Sequence, residues 1–156
     1  MITLIFEAHG TTFDNEAHLA SGHNDIPLSP LGEQQSKEMG ERYKDDNFDA
    51  IFCSDLQRAY KSAEIGFGNK WQIVKDVRLR ECDYGDLTQH PSEEVDEEKP
   101  KRLHTPFPNG ESYDQTKIRI ISGGPTSPKL VVHRQYYWVF YLYKNSRPLS
   151  LTPYLW

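Results

Sequence analysis

At 156 residues the chain suits one domain, 1–156, with a single core, and its size argues against two. Its 18 Lys and Arg stand against 23 Asp and Glu, a net charge of -5, and the basic residues are scattered, which argues against nucleic-acid and membrane partners. Any anion must therefore be bound by a local arrangement of donors.

The elements follow in order. Ile2 to Phe6 is a near-continuous apolar run, as expected of a strand covered on both faces. Ser29 as N-cap and Pro30 at the first helical position predict a helix ending near Lys44, with Leu31, Gln35, Met39 and Tyr43 as its inward stripe. Phe48 to Cys53 reads as a second strand, and Ser54-Asp55 as the cap of a helix from Leu56 to Ile65 that stops at Gly66 and Gly68. Trp71 to Val74 reads as a third strand. Residues 82–108 hold four prolines and the acidic run EEVDEE, the composition of a mobile loop or a short surface helix, either a lid over a site or a solvated insertion. A helix is expected from Ser112 to Ile121, and a fourth strand over Lys129 to Val132. The stretch YYWVFYLY near the end, with six aromatics in eight residues, suits a helix or a strand equally. This alternation predicts an α/β fold, a three-layer α/β/α sandwich around a mostly parallel sheet, whose ligands sit at the carboxyl ends of strands.

Two strand ends deliver histidines, His9 and His133, a strand-to-helix turn delivers Arg58, and Glu81 follows the third strand. Such a set suits phosphoryl transfer, in which the protein presents a nucleophile in line and neutralises charge on the equatorial oxygens. Imidazole can attack near neutral pH, a guanidinium fork matches two phosphate oxygens, and a carboxyl group can give a proton in one step and take one in the next. Cys53 and Cys82 follow no metal-type spacing and suit a reducing compartment. Met1 leads into the first apolar run without a basic segment and no long apolar stretch occurs, so a cytoplasmic location is expected.

In order along the chain, HGTTFDN (9–15), SGHNDIPLSPLGEQQ (21–35), SDLQRAYKSAE (54–64), LRECDYGDL (79–87), PNGES (108–112) and VVH (131–133) resemble the motifs of the histidine phosphatase superfamily, also called the phosphoglycerate mutase-like family. The resemblance implies that His9 is a nucleophile forming a transient phosphohistidine, Arg58 a phosphate clamp, Glu81 the proton donor to the leaving alcohol, and His133 a second histidine flanking the phosphoryl group. It places Gly10, Thr12 and Asn15 in the phosphate loop, with Asn15 binding phosphate or holding that loop, and Ser21 and Gly22 on the substrate side. It implies a small phosphorylated substrate or phosphate ion as partner, and no metal or cofactor. A histidine-carboxylate metal site from His9, Asp14, His18 and His23 is the weaker alternative, since their spacing fits no metal motif.

The chain departs from the family pattern in three ways. Ala8 stands where the family has arginine, removing one charge-assisted contact of roughly 1.5 to 3 kcal/mol. Arg78, Arg80 and Arg134 are the candidate replacements, Arg134 standing where the family often has glycine. Thr11 stands where relatives commonly carry glutamate or glutamine. The C-terminal part is shorter than the family's, with 20 residues between Ser112 and His133 and 23 after it. The aromatic tail is then expected to cover the sheet or to pack against a second subunit as a homodimer. The leading expectation is a phosphatase acting on a small phosphomonoester with weakened activity. The alternatives are a catalytically impaired binding or regulatory domain, and a mutase-type phosphotransferase.

Overall fold

The computed structural model describes residues 2–123 and 140–145. Strand β1, Ile2–Glu7, extends one residue beyond the expected run, β2 is Ala50–Cys53, β3 is Ile73–Lys75, and β4 is Phe140–Asn145. They form one sheet in the order β1-β4-β2-β3. β2 and β3 pair in parallel, while β4 pairs antiparallel with both β1 and β2, so β1, β2 and β3 run in one direction and β4 runs against them. The aromatic tail thus contributes a strand at 140–145. The expected strand at 129–132, His133 and Arg134 lie outside the described residues.

Helix α1, Phe13–Glu16, is a single turn after β1. Helix α2, Pro30–Arg42, begins as predicted: Ser29 Oγ accepts from Gly32 N at 3.3 Å, and Pro30 needs no acceptor in the first turn. Of the expected stripe, Met39 is buried and Tyr43 packs partly buried against the core, whereas Gln35 is exposed and Leu31 is 53% exposed; Gly32 and Ser36 complete the buried face. The reason is a backbone-to-backbone approach. A Cβ on Gly32 would stand 2.0 Å from Thr11 O, and one on Gly10 would stand 2.2 Å from Gly32 O, so large apolar residues have no room on that face.

Helix α3, Gln57–Phe67, continues through Gly66, because Gly66 lets α3 press on α2, where Gly40 has the matching lack of side chain. Its first turn is not capped by Asp55, as the sequence suggested. Asp25, from the loop before α2, takes the Gln57 N–H at 2.6 Å, and Asp55 is held by Arg80. Between α2, α3 and the sheet lies the main core, Met39, Phe48, Ile51, Cys53, Ala59, Ala63 and Phe67, with Trp71 packed edge-on against Phe48 and Phe67. Each such large side chain taken from water contributes roughly 1.5 to 3 kcal/mol. Burial pushes the Cys53 and Cys82 thiols up to about 12, which makes both packing residues.

Of the two readings of residues 82–108, the short surface helix is the one the structure has, with more order around it. These residues fold into short turns of helix at Gly85–Leu87, α4 (Ser92–Glu98) and Lys99–Arg102. Ala20, Cys82, Tyr84, Val95 and Phe107 make a second buried cluster. Gly85 takes φ +53 so that the chain can pass Pro108, where a Cβ would meet the carbonyl oxygen at 2.0 Å. Backbone bonds Ala20 N to His90 O, Gln89 N to Ala20 O and Ser92 N to His18 O stitch the segment to the loop after α1. Helix α5, Tyr113–Gly123, closes the described part of this side. Among the described residues no helix is long and apolar enough to cross a membrane.

Candidate functional site

His9 leaves β1 two residues past its end, at the carboxyl edge of the sheet. Its Nδ1 lies 2.7 Å from Gly10 O. A carbonyl oxygen only accepts, so Nδ1 carries the proton and Nε2 presents a lone pair. Burial, together with the nearby positive charge of Arg58, lowers the imidazole from 6.5 to about 4, against the pull of the Gly10 bond. His9 is therefore neutral throughout the neutral range.

The loop behind it is fixed from three directions. Gly10 N donates to Ser62 Oγ on α3 at 2.9 Å, and Ser62 Oγ donates to Arg58 O at 2.8 Å. Thr11 N and Oγ1 both donate to Gln35 Oε1 on α2. Thr12 and Asn15 form a reciprocal capping box at α1: Thr12 N and Oγ1 donate to Asn15 Oδ1, and Asn15 N donates to Thr12 Oγ1. Thr12 is wholly buried and its hydroxyl is bonded within the loop, as is the side-chain oxygen of Asn15.

Arg58, at the start of α3, is 2% exposed, and both of its terminal nitrogens have acceptors. Nη1 donates to Asn24 O at 2.9 Å, and Nη2 donates to Gly22 O at 2.7 Å and to Glu81 Oε2 at 3.1 Å. Gly22 thus meets Arg58 through its carbonyl, in a backbone at φ +49, and Ser21 is buried beside it. Arg58 thus links the expected site residues, pairing with Glu81 and bearing on His9 by its charge, whereas His133 lies outside the described residues.

Glu81 is held by residues that sequence reasoning did not single out. Tyr84 donates its hydroxyl to Glu81 Oε1 at 2.5 Å. Two side chains donate to the Glu81 backbone oxygen: His23 Nε2 at 2.9 Å and Arg119 Nη2 at 3.0 Å. Arg119 also grips both oxygens of Glu111 and reaches the carbonyls of Arg78 and Arg80. A pairing across such a sequence separation leaves no local pattern. In the sequence His23 stands as a candidate metal ligand, and Tyr84 within the motif LRECDYGDL without a role of its own.

Two of the three replacement cations expected from sequence are committed elsewhere, and the third, Arg134, lies outside the described residues. Arg80 makes a two-pronged pair with Asp55, and Arg78 makes one with Asp76. Beside Ala8 opens a cavity of about 260 Å³, lined by Glu7, His9, Gln35, Glu38 and Arg42 among others. Arg42 is held there by Glu7 at 3.1 Å. The residues weighed as metal ligands do not gather. Asp14 is bonded by Gln89, His23 by Glu81 O, and among the described residues no group of three or more His, Cys, Asp or Glu is placed to hold a metal ion.

A neutral imidazole with its lone pair on Nε2, an adjacent guanidinium and a carboxyl group can perform nucleophilic displacement at phosphorus with proton transfer to the leaving oxygen. The model of the histidine phosphatase superfamily (branch 1) matches residues 4–123. The chain is 35% identical over 126 residues to the uncharacterized phosphatase PhoE of Bacillus subtilis, covering 79% of this chain and 63% of that protein. It is 37% identical over 94 residues to a 2,3-bisphosphoglycerate-dependent phosphoglycerate mutase of Streptococcus pyogenes, covering 56% of this chain and 41% of that one. YhfR of Bacillus stearothermophilus superposes with a TM-score of 0.66 at 27% identity, covering 78% of this chain and 64% of its own. The chain therefore spans less than two thirds of the length of each of these proteins. With phosphatases and phosphoglycerate mutases as relatives, and a family model running from β1 to the end of α5, the chain belongs to the histidine phosphatase superfamily, branch 1, and has its α/β, phosphoglycerate mutase-like fold.

Proposed function

We propose that the protein hydrolyses a small phosphomonoester through a phosphohistidine on His9. The observation that carries this reading is the fixed tautomer: Nδ1 is committed to Gly10 O, which leaves the lone pair on Nε2, and the charge of Arg58, itself paired with Glu81, bears on the ring. In the first step Nε2 attacks phosphorus, the ester P–O bond breaks, and Glu81 gives its proton to the leaving oxygen. In the second step water loses a proton to Glu81, its oxygen attacks phosphorus, the P–N bond breaks and phosphate departs. Arg58 neutralises charge on the equatorial oxygens, and His133 takes the second histidine's place on the phosphoryl group. Incubation with 32P-labelled phosphomonoester followed by an alkaline quench tests it. Acid-labile, alkali-stable label on His9 is expected, and its absence from a protein that also fails to turn over sinks the reading.

A second reading, anion binding without turnover, is favoured by the surroundings of Ala8. Among the described residues the nearby guanidinium groups of Arg42, Arg78 and Arg80 are held by Glu7, Asp76 and Asp55. Ala8→Arg separates the two. Under the hydrolase reading it raises an existing kcat/KM, by about 10² to 10³ if the contact tightens in the transition state. Under the binding reading the parent takes up phosphate with no turnover, and the variant acquires turnover from nothing.

A further inference from the structure

Tyr84 is 2% exposed, with its ring packed edge-on against Phe107 at a centroid distance of 5.2 Å. Packing would account for the ring; it does not account for the hydroxyl. That hydroxyl donates to Glu81 Oε1 at 2.5 Å, while Oε2 receives Arg58 at 3.1 Å. The two oxygens of one carboxyl group are thereby made unequal. In the resting site both oxygens accept, Oε1 from Tyr84 and Oε2 from Arg58. Once a phosphoryl group draws the Arg58 donor away from Oε2, the oxygen that still accepts from Tyr84 is the carbonyl-type one, and Oε2 is the oxygen left to carry the proton. Behind Tyr84, its hydroxyl meets that of Tyr113 at the start of α5, and the charge of buried Lys99 bears on Tyr113. Lys99 in turn is 2.5 Å from Asp96. A line of polar groups therefore runs from the carboxyl group of the site through the second core cluster.

We infer that Tyr84 is a positioning residue for the proton of Glu81, fixing it on Oε2 toward the leaving oxygen, with Tyr113 holding the Tyr84 hydroxyl in place. This rests on the reading of Glu81 as the proton donor. In the step it serves, the Glu81 O–H bond breaks as the proton moves to the leaving oxygen, and the carboxylate left behind keeps the Tyr84 hydrogen bond on Oε1. Tyr84 gains and loses nothing; it sets which oxygen delivers.

The test uses leaving groups of unequal need. p-Nitrophenolate leaves without much help from an acid, whereas phenolate, nearly the same shape, depends on a proton. Both are compared through kcat/KM, which reports the first chemical step. Tyr84→Phe keeps the ring and removes the hydroxyl. It is expected to lower kcat/KM for phenyl phosphate by about tenfold or more, part of the ~10² to 10⁴ that general acid catalysis supplies, and for p-nitrophenyl phosphate by less than about threefold. Equal losses on both esters, or none, overturn the inference. Tyr113→Phe is expected to shift the ratio in the same sense and by less. If Tyr84→Phe melts out of the folded state, equal losses in Tyr113→Phe overturn the inference in its place. A parent inactive on both esters overturns the hydrolase reading and this role together, whereas an active parent with equal losses overturns this role alone.

Discussion

Burying a histidine beside an arginine makes its charged form expensive, and His9 carries that as a measurable property. Its pKa is about 4 in the folded protein against 6.5 for an ordinary histidine, so the folded state binds fewer protons than the unfolded chain between those values. The stability tied to His9 is fully present above pH 6.5 and is lost as the pH falls through 4. The loss is on the order of 3 kcal/mol. His9→Asn removes the titrating group while leaving an amide that can still donate to Gly10 O. The parent is expected to lose that much more stability than the variant between pH 7 and pH 4, read from urea unfolding at each pH. Equal losses in the two proteins would show that His9 is not held neutral. The same suppression leaves Nε2 unprotonated at neutral pH, which is the state that a nucleophile needs.

At the scale of elements, α5 is bound to the Glu81 segment chiefly through Arg119, with Arg78 Nη1 also donating to Ser122 O at 3.3 Å. Arg119 satisfies the carbonyls of Arg78, Arg80 and Glu81 and both oxygens of Glu111. Arg119→Met keeps much of the apolar stem but strands those acceptors and leaves Glu111 without its cation. A loss of about 2 to 4 kcal/mol is expected, from the desolvation of half-buried polar groups left unpaired. Amide exchange should quicken at 78–83 and stay slow at 51–53 in β2; an even increase across both would mean general loosening. This contact also shows where sequence reading stops. The start of α2 was legible because Ser29 and Pro30 act within one turn, and His9, Arg58 and Glu81 were legible because each sits in a short motif. Asp25 capping α3, Leu31 facing solvent, and Arg119 reaching back to residue 78 were not. Those three depend on which backbones approach closely, a property of the assembled fold that no local spacing encodes.

Over the whole molecule, the site lies on the seam between two buried clusters. Arg58 rises from the cluster under α3, and Glu81 and Tyr84 belong to the chain that folds the second cluster around Phe107. The acidic, proline-rich composition of 82–108 hid that second core, because five well-placed side chains suffice to bury it. This division predicts a selective consequence of loosening one side. Phe107→Leu shrinks the ring against which Tyr84 and Tyr113 pack, and Phe48→Leu does the same beside Phe67 and Trp71. Each should lower stability by about 1 to 3 kcal/mol, less than the 3 to 5 expected for Phe to Ala. Their effects on bound anion should differ. Vanadate or phosphate stabilises the folded state according to its affinity, so the rise in melting temperature at fixed anion concentration reads the geometry of the site. Phe48→Leu should keep the parent's increment, because Arg58 is held by the carbonyls of Gly22 and Asn24 and stays in register with His9. Phe107→Leu should reduce it, since Tyr84 and the Glu81 that it holds lose their buried backing and the Glu81–Arg58 pair shifts out of register with His9. Equal increments in the two variants would mean that the second cluster supports the chain without shaping the site.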